Sequence, residues 1–200
     1  MFRVFGAAVL AMAVLAAPAE AQKVRAGDAA LIPKAEAALA RIGSMIADFT
    51  FRMPGRVNTG RLFVDRIGRQ LRMEFDPPLG HLLVASGARV DFVGGDGTQI
   101  NAATQSTPLA LVFGPDARLS GDVEVLEIAT KGKSASFVVG QKSQPDDGKV
   151  ILHFQQTDPV WTLTGWSYID ADGRFTKTSL SNQQLGVELN PALFERPPPR

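Results

Sequence analysis

The sequence predicts a mainly β fold, a sandwich or barrel, entered through one amphipathic helix. Three observations carry this. Apolar side chains recur at every second position from Phe49 onward. Gly- and Asp-rich turns separate the runs, as in Gly94-Gly95-Asp96-Gly97 and Asp170-Ala171-Asp172-Gly173. Helical spacing of apolar residues precedes the strands, where Leu31, Ile32, Ala35, Ala38, Leu39, Ile42, Met45 and Ile46 form one stripe.

The chain begins with secretory-signal features. Arg3 is followed by the apolar run 6–17, then by Ala19-Glu20-Ala21, a small-x-small cleavage pattern. The run is short for a membrane span. The expected organisation is a signal peptide, 1–21, and one exported domain, 22–200. The absence of cysteine excludes disulfides and a lipidated N-terminal cysteine. A net charge of +1 and the lack of a basic aromatic stripe argue against nucleic acid as a partner.

In the predicted helix, Asp28 is placed as N-cap and Pro33 in the first turn, while Gly43 weakens its far end. Strands follow around Phe49/Phe51/Met53, Leu62/Val64 and Leu71/Met73/Phe75, with turns at Pro54-Gly55 and Ile67-Gly68. Further strands are expected at 82–85, 90–93, 123–128, 136–139, 150–154, 161–169 and 175–180. Thr107 to Gly114 breaks this rhythm. Its Thr cap, Pro108 and Gly stop frame a short apolar helix that needs cover on most sides. Pro197-Pro198-Pro199 reads as an extended tail.

Catalytic signals are weak. The chain has no cysteine nucleophile, serine elbow, zinc-protease helix or phosphate loop. His81 and His153 lie far apart, and His153 reads as a surface residue on the polar face of its strand. The Asp170 loop lacks the calcium-loop glutamate, since Ser181 occupies that position. The expectation is a protein without catalytic residues, metal or cofactor. Alternation by itself does not separate a filled core from a lined cavity.

Several ordered segments carry a resemblance. They are Ile46-Ala47-Asp48-Phe49-Thr50, Gly60-Arg61-Leu62-Phe63-Val64-Asp65-Arg66 and Arg72-Met73-Glu74-Phe75-Asp76-Pro77-Pro78. Leu83-Val84-Ala85-Ser86-Gly87, Thr107-Pro108-Leu109 and Leu163-Thr164-Gly165-Trp166 follow, then Leu180-Ser181-Asn182 and Leu193-Phe194. In this order the chain resembles the periplasmic outer-membrane lipoprotein carriers of Gram-negative bacteria. It departs from them at Ile67, where the family usually has proline after the arginine.

The resemblance implies an unclosed, strongly curved antiparallel β-barrel (a half-barrel) with an α-helical lid. It implies a periplasmic monomer that takes acylated lipoproteins from an inner-membrane ABC transporter toward the outer membrane, where some lineages have a receptor. Alternation and resemblance together nominate Phe49, Phe51, Leu62, Val64, Leu71, Met73, Phe75, Val90, Phe92 and Phe154 as the acyl-chain lining. Leu109, Leu111, Val112 and Phe113 are the lid residues, and Arg66 is the lid latch, with Arg69 and Arg72 as alternatives. Competing readings are a same-fold sensor and a carrier of another lipid such as a glycolipid or hopanoid.

Overall fold

The computed structural model describes residues 26–103, 113, 118–143, 145–146, 148–157 and 159–195. The predicted signal segment, most of the predicted lid and the terminal prolines lie outside these residues.

Among the described residues, two helices come first: α1 (Ala26–Ala29) and α2 (Ile32–Ala40). Eleven strands among the described residues form one antiparallel sheet. They are β1 (Ser44–Met53), β2 (Arg56–Asp65), β3 (Gln70–Phe75), β4 (Leu82–Ser86), β5 (Arg89–Val93) and β6 (Gln99–Ala103). After the predicted lid come β7 (Val123–Lys131), β8 (Ser134–Gln141), β9 (Lys149–Thr157), β10 (Val160–Ile169) and β11 (Phe175–Leu185).

The spatial order is β6-β5-β4-β3-β2-β1-β11-β10-β9-β8-β7. Every neighbour is also a sequence neighbour except β1 and β11, which join the two halves. The edges are β6 and β7, so the sheet is not closed, and segment 104–122 connects one edge to the other. Yet Val90 of β5 and Phe137 of β8 belong to one buried cluster. A sheet whose distant strands share one interior must curl around it, which makes the molecule a half-barrel.

The predicted helix is shorter than its apolar stripe. It stops at Ala40, with Arg41 as C-cap, and the chain is extended from Ser44. Met45 and Ile46 therefore belong to β1, where Met45 pairs with Val64 and Leu185. Their spacing from Ile42 satisfies a helical period, but the sheet ladder supplies their backbone partners. Asp28 is not the cap either. It lies in α1, Leu31 occupies the N-cap of α2 without a side-chain bond, and the Leu31 N–H donates to the Asp28 carbonyl over 2.9 Å. Pro33 does sit in the first turn.

Helix α2 packs on β10 through Ala35, Ala38 and Leu39. The two alanines let the helix axis approach closely, and Leu39 is fully buried. Truncating such a leucine costs about 2–5 kcal/mol. The Arg41 guanidinium donates to the Trp161 carbonyl and ties the helix end to β10.

The sheet's inner face is set by alternation. In β1 it carries Met45, Ala47, Phe49 and Phe51, and in β2 the facing residues are Val64, Leu62, Gly60 and Asn58. Gly60 pairs with Phe49 on one side and Phe75 on the other, and those rings meet edge to face at 5.0 Å. A Cβ on Gly60 would collide with the Glu74 carbonyl of β3 and the Phe49 ring. Strand β6 escapes prediction because Ile100 is its only large apolar residue.

A second, smaller apolar layer covers the outer face. Phe63, Val84, Val93 and Phe194 are each under 9% exposed yet lie outside the main cluster. The 3₁₀ turn Pro191–Phe194 packs across β3 and β4, and Arg72 donates to the Leu193 carbonyl over 2.9 Å.

Candidate functional site

One end of the half-barrel interior is filled and the other is hollow. At the filled end, α2 and the β2–β3 turn close over Leu39, Met45 and Val64, all fully buried. Toward the other end lies a cavity of about 390 Å³, lined by residues of β1–β5, β10 and β11. Its apolar walls include Phe51, Met73, Phe75, Leu83, Phe92 and Trp166. Such a volume falls within the range of about 300–1,000 Å³ typical of small-ligand pockets.

Of the residues nominated from sequence, Phe51, Met73, Phe75 and Phe92 line this cavity. Phe49, Leu62, Val64, Leu71, Val90 and Phe154 face the same interior but lie within the packed cluster. Phe154 packs against Phe137 at 5.5 Å and Trp161 at 6.1 Å, away from the cavity walls. Leu109, Leu111 and Val112 lie outside the described residues. Phe113 is described: it is 8% exposed, with its ring edge to face with Trp166 at 5.4 Å. A residue of the predicted lid thus rests on a residue of the cavity wall.

Sequence reasoning missed Met53, Arg56, Asn58, Leu79, His81, Leu83, Trp166, Tyr168, Thr176 and Thr178. His81 and Leu83 are separated by one residue, and the His81 ring meets Phe92 at 5.0 Å and Phe75 at 6.1 Å. Arg56, Asn58, Thr176 and Thr178 gave no apolar signal, so strand register alone places them inward.

The three arginines weighed as latch have different positions. Arg66 is 7% exposed and donates from Nη1 to the Leu39 carbonyl at the end of α2, while its own backbone N–H donates to the Gly43 carbonyl over 2.9 Å. Burial pushes its guanidinium pKa down from the ordinary arginine value. Arg69 is exposed in the β2–β3 turn at positive φ. Arg72 points to the outer face, bonded to Glu74 over 2.6 Å and to the Leu193 carbonyl.

Two expectations about polar residues are now specific. His153 is not a surface histidine: it is half-buried, with Nδ1 3.0 Å from Ser136 Oγ and Nε2 2.8 Å from Ser167 Oγ. The change comes from neighbours on β8 and β10, which single-strand alternation does not reveal. Ser167 is 1% exposed, so this Ser–His contact offers little access to a substrate. The Asp170 loop is a hairpin turn, its Oδ1 accepting from the N–H groups of Asp172 and Arg174 over 3.0 and 2.8 Å. A second hollow, of about 500 Å³, includes Asp48, Glu74 and Asp76. Those carboxylates accept bonds from Asn182, Arg72 and Thr59.

Comparison with known proteins adds the lineage. A sequence model of the family described as outer membrane lipoprotein carrier protein LolA matches residues 51–197. An outer-membrane lipoprotein carrier protein of Methylococcus capsulatus is 26% identical over 151 residues, spanning 73% of this chain and 70% of that protein. Among solved structures, an uncharacterized conserved protein of Thermus thermophilus superposes with a TM-score of 0.51 at 14% identity, covering 86% of this chain and 94% of that one. The Mycobacterium tuberculosis lipoprotein LppX gives 0.44 at 12% identity, over 82% of this chain and 100% of its own.

Proposed function

Because the chain belongs to the LolA family of outer-membrane lipoprotein carriers, we propose that its cavity shelters lipoprotein acyl chains between the two membranes. The observation that supports this most is the apolar hollow at one end of the half-barrel interior, with Phe113 resting on its wall. In this reading residues 1–21 direct export, and the mature chain works in the periplasm as a monomer. It accepts cargo from an inner-membrane ABC transporter and releases it at the outer membrane or to a receptor there.

The energetics explain the form of the site. Each methylene kept from water contributes about 0.8 kcal/mol. Two long chains in water therefore cost on the order of 20 kcal/mol on that scale. A carrier must offset most of this and still release its cargo. The 390 Å³ present accommodates part of such a load, and further room comes from displacing Phe113 and its segment. Acyl contacts then replace lid contacts, so the net affinity stays moderate. In this reading Arg66, whose guanidinium joins the β2–β3 turn to the end of α2, sets the resistance of the filled end to opening. No step requires catalysis, a metal or a cofactor.

Site-specific photocrosslinking tests the reading. A crosslinker replacing Phe51 on the cavity wall is expected to capture acylated lipoprotein during transfer from membranes. The same group at Thr50, the next residue of β1 on the opposite face, is expected to capture none. Equal capture at both positions, or none at either, would overturn it.

A further inference from the structure

The cavity changes character with depth, and the change is written along two strands. On the inner face of β2, Val64 and Leu62 are fully buried, Gly60 is buried, Asn58 is half-buried and Arg56 is exposed. These alternate positions run about 20 Å from Leu62 to Arg56 at roughly 3.4 Å per residue. On β11 the inner face runs from Leu180 to Thr178 and Thr176. Register places Asn58 and Thr178 on either side of Phe51, and Arg56 one step nearer the mouth, opposite Met53. Asn58, Thr178, Arg56 and Thr176 all line the cavity.

This collar has one sign of charge. Among the described residues, Arg56 and His81 are the basic ones of the lining, and no carboxylate joins them. Asp96 is not part of the lining, and its Oδ1 accepts from the Thr98 N–H over 2.9 Å. Arg56 is therefore the principal charge of the rim. Several other arginines are engaged: Arg72 with Glu74, Arg89 with Asp91 and Arg174 with Asp172. Among the described residues, Arg56 makes no ion pair or side-chain hydrogen bond. A guanidinium at the rim of an apolar slot presents donors to whatever polar group follows a buried chain.

We infer that this rim selects cargo by charge: the acylated polypeptides it favours carry acidic residues directly after the lipidated end, which pair with Arg56 and hydrogen-bond to Asn58 and Thr176. The inference rests on the acyl-carrier reading and extends it from the chains to the peptide they anchor. Arg52 provides an internal control. It lies in the same hairpin, opposite Val57, on the outer face. Its charge adds equally to any long-range attraction but cannot reach the rim.

The test uses two synthetic diacylated lipopeptides with identical lipid, one followed by four glutamates and the other by four lysines. Affinities for the mature protein are measured by competition with a fluorescent acyl probe. The wild type is expected to favour the acidic peptide, and Arg56→Gln to reduce that preference about threefold, as loss of an exposed ion pair does. Arg56→Lys is expected to retain part of it and Arg52→Gln all of it. Equal affinities for both peptides, or equal losses in Arg56→Gln and Arg52→Gln, overturn the charge inference and leave the acyl reading standing. Binding of neither peptide, nor of the probe, overturns both.

Discussion

Individual residues show how local chemistry departs from pattern. His153 bridges strands by contacting Ser136 on β8 and Ser167 on β10. Burial, and secondarily the charge of Lys177, lower its pKa from the ordinary value of 6.5. The folded state therefore resists protonation that the unfolded chain accepts. The stability linked to this group is present above the unfolded pKa and is lost as pH falls below it. Thermal melts near pH 7.5 and near pH 5.5 are expected to show a larger drop for wild type than for His153→Gln. An equal drop would mean that His153 does not carry the linkage. Strand alternation placed His153 opposite Leu152 and Phe154, but its partners are on other strands and were not legible. The cavity rim had the same fate. Asn58 and Arg56 continue the inward period of Leu62, but a polar residue at an inward position resembles a surface residue until register is known.

At the scale of elements, alternation identified strands well where one face is apolar, as in β1, β3 and β9. It failed at β6, whose sequence Gln99–Ala103 has little to bury, and at Met45, where helical and strand periods coincide. The C-terminal turn was also hidden, since its role lies in what it covers. Phe194 is 4% exposed beside an outer layer that includes Phe63, Val84 and Val93. Phe194→Ala is expected to destabilise the protein by about 3 kcal/mol, read from the denaturant midpoint. A change below about 0.5 kcal/mol would show that the turn is dispensable to the fold. The helix carries another tether: Glu36 accepts from the Leu119 N–H over 2.8 Å, anchoring the chain where it returns from segment 104–117. The chain is thereby held to α2 at Leu119, ahead of β7, while Phe113 rests on Trp166.

For the whole molecule, the decisive feature is uneven filling. Eleven strands curl around one interior, α2 closes one end, and about 390 Å³ stays open toward the other. The sequence made the β architecture and the abundance of inward apolar groups visible. It did not show which of them pack and which line a hollow, because that depends on curvature and on what fills each end. The two tryptophans of the chain divide along this line: Trp161 packs with Phe137 and Phe154, whereas Trp166 forms part of the cavity wall. Replacing Trp161 by phenylalanine leaves Trp166 as the sole tryptophan reporter. Titration with a lipopeptide brominated on its acyl chain is expected to quench Trp166 saturably, while the unbrominated peptide does not. Binding of the brominated peptide with Trp166 emission unchanged would place the chains elsewhere and contradict the account.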